Sequence, residues 1–159
     1  MNMNRVTNRL TSIANDYKSC DACRASFLLY PGKIHPNYIT SRLGLLPTRC
    51  QVAGEPVILP SGKSRVAKSS LWFLESEENV NSYDLRDHLD WVLNQLKSVE
   101  RELKYIQTLE GVKMIIKCVW ESYNGESGPV LWPEQMKILG ELNLESSFDF
   151  YYFGLDDED

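Results

Sequence analysis

The chain has 159 residues, 43% of them apolar and 25% charged, the proportions of an ordinary globular domain, which exclude a largely disordered chain. At this length a domain buries roughly 70% of the surface its unfolded form exposes, so it needs neither disulfide nor metal to hold one fold. Seventeen basic against 22 acidic side chains leave a net charge of −5, a poor balance for gripping a phosphate backbone.

No apolar run approaches the roughly 20 residues that cross a bilayer. The opening Met1-Asn2-Met3-Asn4-Arg5 leads into polar sequence rather than an apolar signal core, which predicts a cytoplasmic protein with no membrane and no nucleic-acid partner. Residues 1–22 read as a polar leader. Val6, Leu10, Ile13 and Tyr17 recur at helical spacing, but Asn4, Asn8 and Asn15 weaken the pattern, so the leader is either a short packed helix or an arm.

A single α+β domain is expected over residues 23–154. Ala25–Tyr30 is a predicted strand stopped by Pro31-Gly32. Pro36 then opens a short helix carrying Ile39 and Leu43 and ended by Gly44. Residues 49–68, punctuated by Gly54, Pro56, Pro60 and Gly62, carry at most short strands near Cys50–Val52 and Val57–Leu59. Ser69–Leu74 reads as a strand, and its unbroken apolar run points to burial on both faces or a central place in a sheet.

Leu85, Leu89, Val92, Leu96, Val99, Leu103 and Ile106 give the strongest periodic signal, with steps of four and three. They draw one apolar seam along a single long helix, widened by Trp91, with Ser82 or Asp84 as its cap and Gly111 after its end. Three heptads flanked by strands suggest a helix lying on a sheet rather than a coiled coil. Val112–Trp120 is the next predicted strand. Pro133 opens a helix carrying Met136, Leu139 and Leu142, and residues 148–153 close the domain as a strand. The last residues, 155–159, form an acidic tail.

The segment Ile34-His35-Pro36-Asn37-Tyr38-Ile39 is echoed by Leu131-Trp132-Pro133-Glu134-Gln135-Met136. The expected architecture is therefore α+β: a mixed or antiparallel sheet with one long helix and two shorter helices packed on it, compatible with ferredoxin-like duplicated strand–helix–strand halves.

Candidate sites for chemistry are weak. Cys20-Asp21-Ala22-Cys23 has the spacing of a zinc or redox motif, but Cys50, Cys118, His35 and His88 supply no second close pair, so ordinary reduced thiols and no metal are expected. Gly62-Lys63-Ser64 lacks the first glycine of a phosphate loop and precedes a strand. His35 is a helix-start residue, and His88, next to seam residue Leu89, is expected to be partly exposed. Neither comes with the surroundings of a catalytic triad. No catalytic residue, cofactor or metal is assigned, and the chain is read as a non-enzyme.

Charge layout is more informative. Between Lys33 and Lys68 stand six basic residues and only Glu55 as an acid. Glu75, Glu77, Glu78, Asp84, Asp87 and Asp90 then follow with Arg86 as the one base, and the stretch from Glu141 onward has seven acids and no base. A solvated surface accounts for this; an acidic face that steers toward a basic protein partner is the sharper reading. Tyr83, Tyr123 and Tyr151 are candidate anchors within that face.

The strand ending at Tyr30, the stretch Ile34-His35-Pro36 to Leu43-Gly44-Leu45-Leu46-Pro47-Thr48, the Gly54-Glu55 turn and Ser70-Leu71-Trp72 resemble the bacterial domain of unknown function 4279 family. So do the long helix and the closing Trp132-Pro133 helix and aromatic strand, over residues 23 to 153. The resemblance implies an α+β domain without established catalytic residues and a place among immunity proteins of contact-dependent toxin systems. The expected function is neutralisation of a cognate toxin, such as a nuclease, by occlusion. Two alternatives are a homo-oligomeric structural or regulatory module and a small carboxylate-dependent hydrolase.

Overall fold

A computed structural model describes residues 9–14, 16–125 and 127–154. The acidic tail over 155–159, together with Asn4, Val6, Asn8 and Asn15 of the leader, lies outside the described residues.

Five strands form the main sheet: β1 (Ala22–Tyr30), β2 (Arg49–Gln51), β5 (Leu71–Glu75), β6 (Lys113–Ser122) and β7 (Ser146–Tyr152), in the order β2-β5-β1-β6-β7. β1 runs antiparallel to β5 and β6, and β2 antiparallel to β5, whereas β6 and β7 are parallel. The sheet is mixed. The two strand–helix–strand halves suggested by the Pro36 and Pro133 echo differ in spacing: β1 and β2, which flank Pro36–Leu43, run parallel with β5 between them, whereas β6 and β7, which flank Pro133–Glu141, are parallel neighbours.

Alternation along β1 sends Cys23, Ala25, Phe27 and Leu29 into the core, where Trp72 and Leu74 of β5 and Ile116, Cys118 and Trp120 of β6 join them. Phe73 points to the opposite face and is buried as well, under Tyr30 (ring centroids 5.4 Å apart) and the Arg49 guanidinium, 4.9 Å from its ring. This double burial explains the unbroken apolar run of β5.

Four helices complete the layer: α1 (Pro36–Leu43), α2 (Leu85–Ser98), α3 (Glu100–Gln107) and α4 (Pro133–Glu141). Gly44 caps α1 in the left-handed region at φ 67°, a conformation that suits a residue without Cβ. α2 lies on β1, α4 packs on α2, and α3 packs on α1.

The single long helix expected from the seam is two. Val99 leaves helical geometry at φ −122°, ψ 24°, and the Ser98 hydroxyl bonds back to the Gln95 carbonyl at 2.6 Å. The seam itself persists through the break, because Leu85, Leu89, Val92, Leu96, Leu103 and Ile106 are all buried. Periodicity records which residues face the core and is blind to a change of axis.

Other boundaries differ by a few residues. β3 (Pro56–Ile58) and β4 (Ser64–Val66) form a separate antiparallel hairpin, so Gly62-Lys63-Ser64 is a hairpin turn running into a strand. The described leader residues form no helix, and Leu10 is fully exposed. They form an arm, held by Arg9 on Glu134 at 2.6 Å and by Arg86 on the carbonyls of Thr11 and Ser12, each at 3.0 Å.

Leu89 is fully buried at the centre of the α2–sheet contact. Leu89→Ala is expected to cost about 2–5 kcal/mol, read in urea unfolding as a lower midpoint with an unchanged slope.

Candidate functional site

The start of β1 and the ends of β5, β6 and β7 share one end of the sheet, as their pairing registers require. The loop from Ser76 to Asp84, which joins β5 to α2, borders the same end. Most of the candidate residues are carried here, but in two different attitudes.

The first group turns inward. Asp84 is the cap of α2, accepting from the Arg86 amide at 3.0 Å, and its carboxylate also receives Arg86 Nε at 2.9 Å and a terminal nitrogen at 2.6 Å. Burial opposes its charge, yet the Arg86 guanidinium and the Arg86 and Ala14 amides outweigh that effect and hold the carboxyl below the usual range. Arg86 is itself only 3% exposed and lies 4.7 Å from the Trp132 ring centroid. Asp87 accepts from the Ser82 hydroxyl at 2.6 Å, and Asp90 from Gln135 Nε2 at 2.9 Å. Burial pushes the Asp90 carboxyl upward. These three acids serve the first turns of α2 and its junction with α4.

His88 is buried, not partly exposed. Its Nε2 faces the Ser82 carbonyl at 2.9 Å, which places the proton there, and its Nδ1 accepts from the Ser76 hydroxyl at 2.8 Å. The Ser76 oxygen in turn accepts the Ala25 amide at 2.9 Å. One relay thus joins β1, the loop after β5 and α2. Its neighbour Leu89 gave a seam position, but α2 is enclosed on more sides than one stripe of leucines reveals.

The second group faces outward. Glu75 pairs with Arg49 at 3.0 Å. Arg24 bridges Glu121 at 2.7 Å and Glu77 at 4.0 Å. Across the β6–β7 ladder, Glu121 stands beside Tyr151. Asp21 binds Lys18 at 3.1 Å and accepts the Tyr123 amide at 2.7 Å, and Lys18 lies within electrostatic reach of both Tyr83 and Tyr123. Glu78 is exposed, as are the rings of Tyr83, Tyr123 and Tyr151. Asp21, Glu77, Glu78 and Glu121 against Lys18 and Arg24 leave this rim with an acidic excess, studded with three tyrosines.

The turn after β6 is shaped to lie on an aromatic ring. Gly125 has φ +63°, and a Cβ there would stand 2.9 Å from the Tyr152 ring. Tyr123 packs on Phe153 with ring centroids 5.1 Å apart.

Cys20, Cys23 and Cys118 are buried, and Cys50 is exposed. Cys20 Sγ donates to the Tyr83 carbonyl at 3.4 Å and Cys23 Sγ to the Ser82 carbonyl at 3.8 Å, so the pair ties the start of β1 to the loop before α2. Its hydrogen bond with Cys20, together with burial, drives the Cys23 thiol well above the usual range, and burial alone pushes Cys118 up to about 12. Among the described residues, no cluster of three or more His, Cys, Asp or Glu side chains could hold a metal ion. Among them, too, no helix is long and apolar enough to cross a membrane.

Sequence reasoning missed Arg86, Ser76, Gln135 and Arg24. Arg86 carried a signal, being the one base among six acids and two residues from a helix cap. The others depend on contacts across the fold.

A family described as a domain of unknown function (DUF4279) matches residues 21–153, and the chain belongs to it. The match spans the whole sheet and all four helices. No curated protein and no solved structure matches the chain.

Two outcomes are expected. Ser76→Ala leaves the Ala25 amide and His88 Nδ1 buried without partners and should cost about 1–3 kcal/mol in chemical denaturation. Asp84→Asn should cost about 3–5 kcal/mol at neutral pH. Because the folded-state value of Asp84 is depressed, its contribution is present above 3.8 and fades as pH falls through the folded-state value. The gap between wild type and Asp84→Asn should therefore narrow in acid titrations of stability.

Proposed function

We propose that this member of the domain-of-unknown-function 4279 family is a non-enzymatic binding protein of the cytoplasm, an immunity protein that neutralises a cognate toxin domain. The observation that carries the reading is the rim at one end of the sheet. There an acidic excess surrounds exposed Tyr83, Tyr123 and Tyr151, and each element beneath is tied into the core.

A toxin that handles nucleic acid needs a cationic surface to hold phosphates. An acidic rim complements such a surface, accelerates encounter and fixes register, whereas long-range attraction alone adds little affinity. Affinity then falls to the aromatic anchors, which bring large contact area at low entropic cost. Glu77 and Glu78 are the steering charges. Asp84, Asp87 and Asp90 act indirectly, by holding α2 and the loop that presents Tyr83. Inhibition proceeds by covering the toxin's active-site surface, with no bond made or broken.

The test mixes the purified protein with candidate toxin domains, beginning with any encoded beside its gene, and follows toxin activity. Stoichiometric inhibition is expected. Tyr83→Ala and Tyr123→Ala should each weaken binding by about 10–100-fold, chiefly through faster dissociation. A Glu77→Lys, Glu78→Lys double variant should slow association, most visibly at low salt. Full toxin activity in the presence of excess protein would sink the proposal.

A further inference from the structure

Among the described residues, β7 and β2 are the two edges of the main sheet. β2 is three residues long, a short edge of the kind that discourages pairing with another chain. β7 is seven residues long and contains neither lysine nor proline. Its one charged residue, Asp149, is neutralised by Lys117 at 2.9 Å. Phe150 is 62% exposed and Tyr152 65%, beside Phe148, whose ring stacks on that of Phe150 with centroids 6.4 Å apart. Such an apolar, uncharged edge is a template for another strand.

The ladder fixes which backbone groups remain open. The Ile116 amide donates to the Glu145 carbonyl at 3.0 Å, and the Phe153 amide to the Ser122 carbonyl at 3.4 Å. In a parallel pair with this register, odd-numbered β7 residues turn their N–H and C=O toward β6. Ser146, Phe148, Phe150 and Tyr152 therefore turn theirs away from the sheet.

We propose that β7 pairs antiparallel with β7 of a second copy of this chain, about a two-fold axis through Phe150, joining two sheets into one continuous sheet. In this register Phe150 faces Phe150 of the partner subunit, and Phe148 faces Tyr152 of the partner subunit. Each of these pairs uses the outward backbone groups, and each stacks aromatic on aromatic, a favourable cross-strand combination. On the other face, Asp149 falls opposite Tyr151 of the partner subunit, whose phenol can donate to it.

Moving the axis to Asp149 would set two carboxylates face to face in a non-hydrogen-bonded pair, where side chains approach most closely, and would leave Tyr152 opposite Ser146 of the partner subunit. Moving it to Phe148 would leave Tyr152 unpaired. The strand's own pattern thus selects a copy of itself in one register. The exposed parts of the β7 aromatics with Tyr123 and Phe153 amount to about 600 Å² per copy, taking roughly 200 Å² per aromatic side chain. A standard interface buries about 800 Å² per partner, a value that the edge backbone and the remaining β7 side chains bring within reach. Glu77, Glu78 and Tyr83 lie toward the opposite edge, whereas Tyr123 and Tyr151 belong to both surfaces, so this dimer would cover part of the proposed toxin-binding rim.

Sedimentation equilibrium of the full chain across a concentration series tests this directly. The expected species has twice the 18.3 kDa chain mass, and Phe150→Glu raises the dissociation constant at least about tenfold. Circular dichroism of that variant should match wild type, because the ring is solvent-exposed in the single chain. Phe150→Cys in a Cys50→Ser background should form a disulfide-linked dimer on mild oxidation, the two Cα atoms lying about 5.5 Å apart. A single-chain mass at every concentration, a dimer indifferent to Phe150→Glu, or failure of the cysteine pair to cross-link would overturn the proposal. So would a β7 edge that recruits an unrelated strand while the protein alone stays monomeric.

Discussion

The organisation of this protein around its candidate site depends on one buried ion pair. Arg86 and Asp84 are both withdrawn from water, which is costly unless every donor and acceptor finds a partner. Here the guanidinium satisfies the Asp84 carboxylate and the Thr11 and Ser12 carbonyls while its face lies over Trp132. A single side chain thereby binds the leader arm, the first turn of α2 and the approach to α4. The relay from Ala25 through Ser76 to His88 and Ser82 fixes the other side of the same junction. Between these two anchors the loop carrying Glu77, Glu78 and Tyr83 is held at both ends, so the rim is presented on a rigid base.

Charge segregation along the chain and charge segregation in space are different things. Of the six acids between Glu75 and Asp90, three are consumed by helix capping and interhelical hydrogen bonds, and the loop acids face outward. Asp21 and Glu121, distant in sequence, join them through β1 and β6 pairing. The ion pairs across this rim are half-buried at most and contribute modestly to stability. What they add is a net negative field at this end of the sheet. Tyrosines set among such charges offer apolar contact without creating a large greasy patch.

How much of this was legible in the sequence follows from the range of each interaction. The core strands and the leucine seam of α2 and α3 were readable, because period-two and period-3.6 patterns record burial directly. Asp84 was readable as a cap because capping is local. The break at Val99 was not, since the seam passes through it unchanged. The β3–β4 hairpin was half-visible: its glycines and prolines marked turns, but its exposed residues carry no apolar alternation. Burial of His88 and the inward turn of Asp87 and Asp90 depend on Ser76, Ser82 and Gln135 arriving from other elements. The tyrosine anchors were legible as residue types, and their grouping with Asp21 and Glu121 only through strand order.

Hydrogen–deuterium exchange of the protein, free and mixed with a candidate cationic nuclease toxin domain, tests the proposed binding surface most directly. The expected result is new protection confined to residues 76–83 and 121–124 and to the start of β1. The α3 surface and the β3–β4 hairpin should keep their free-state exchange. Protection centred on either of those two elements, with the sheet-end rim unchanged, would contradict a partner surface built on the acidic tyrosine rim.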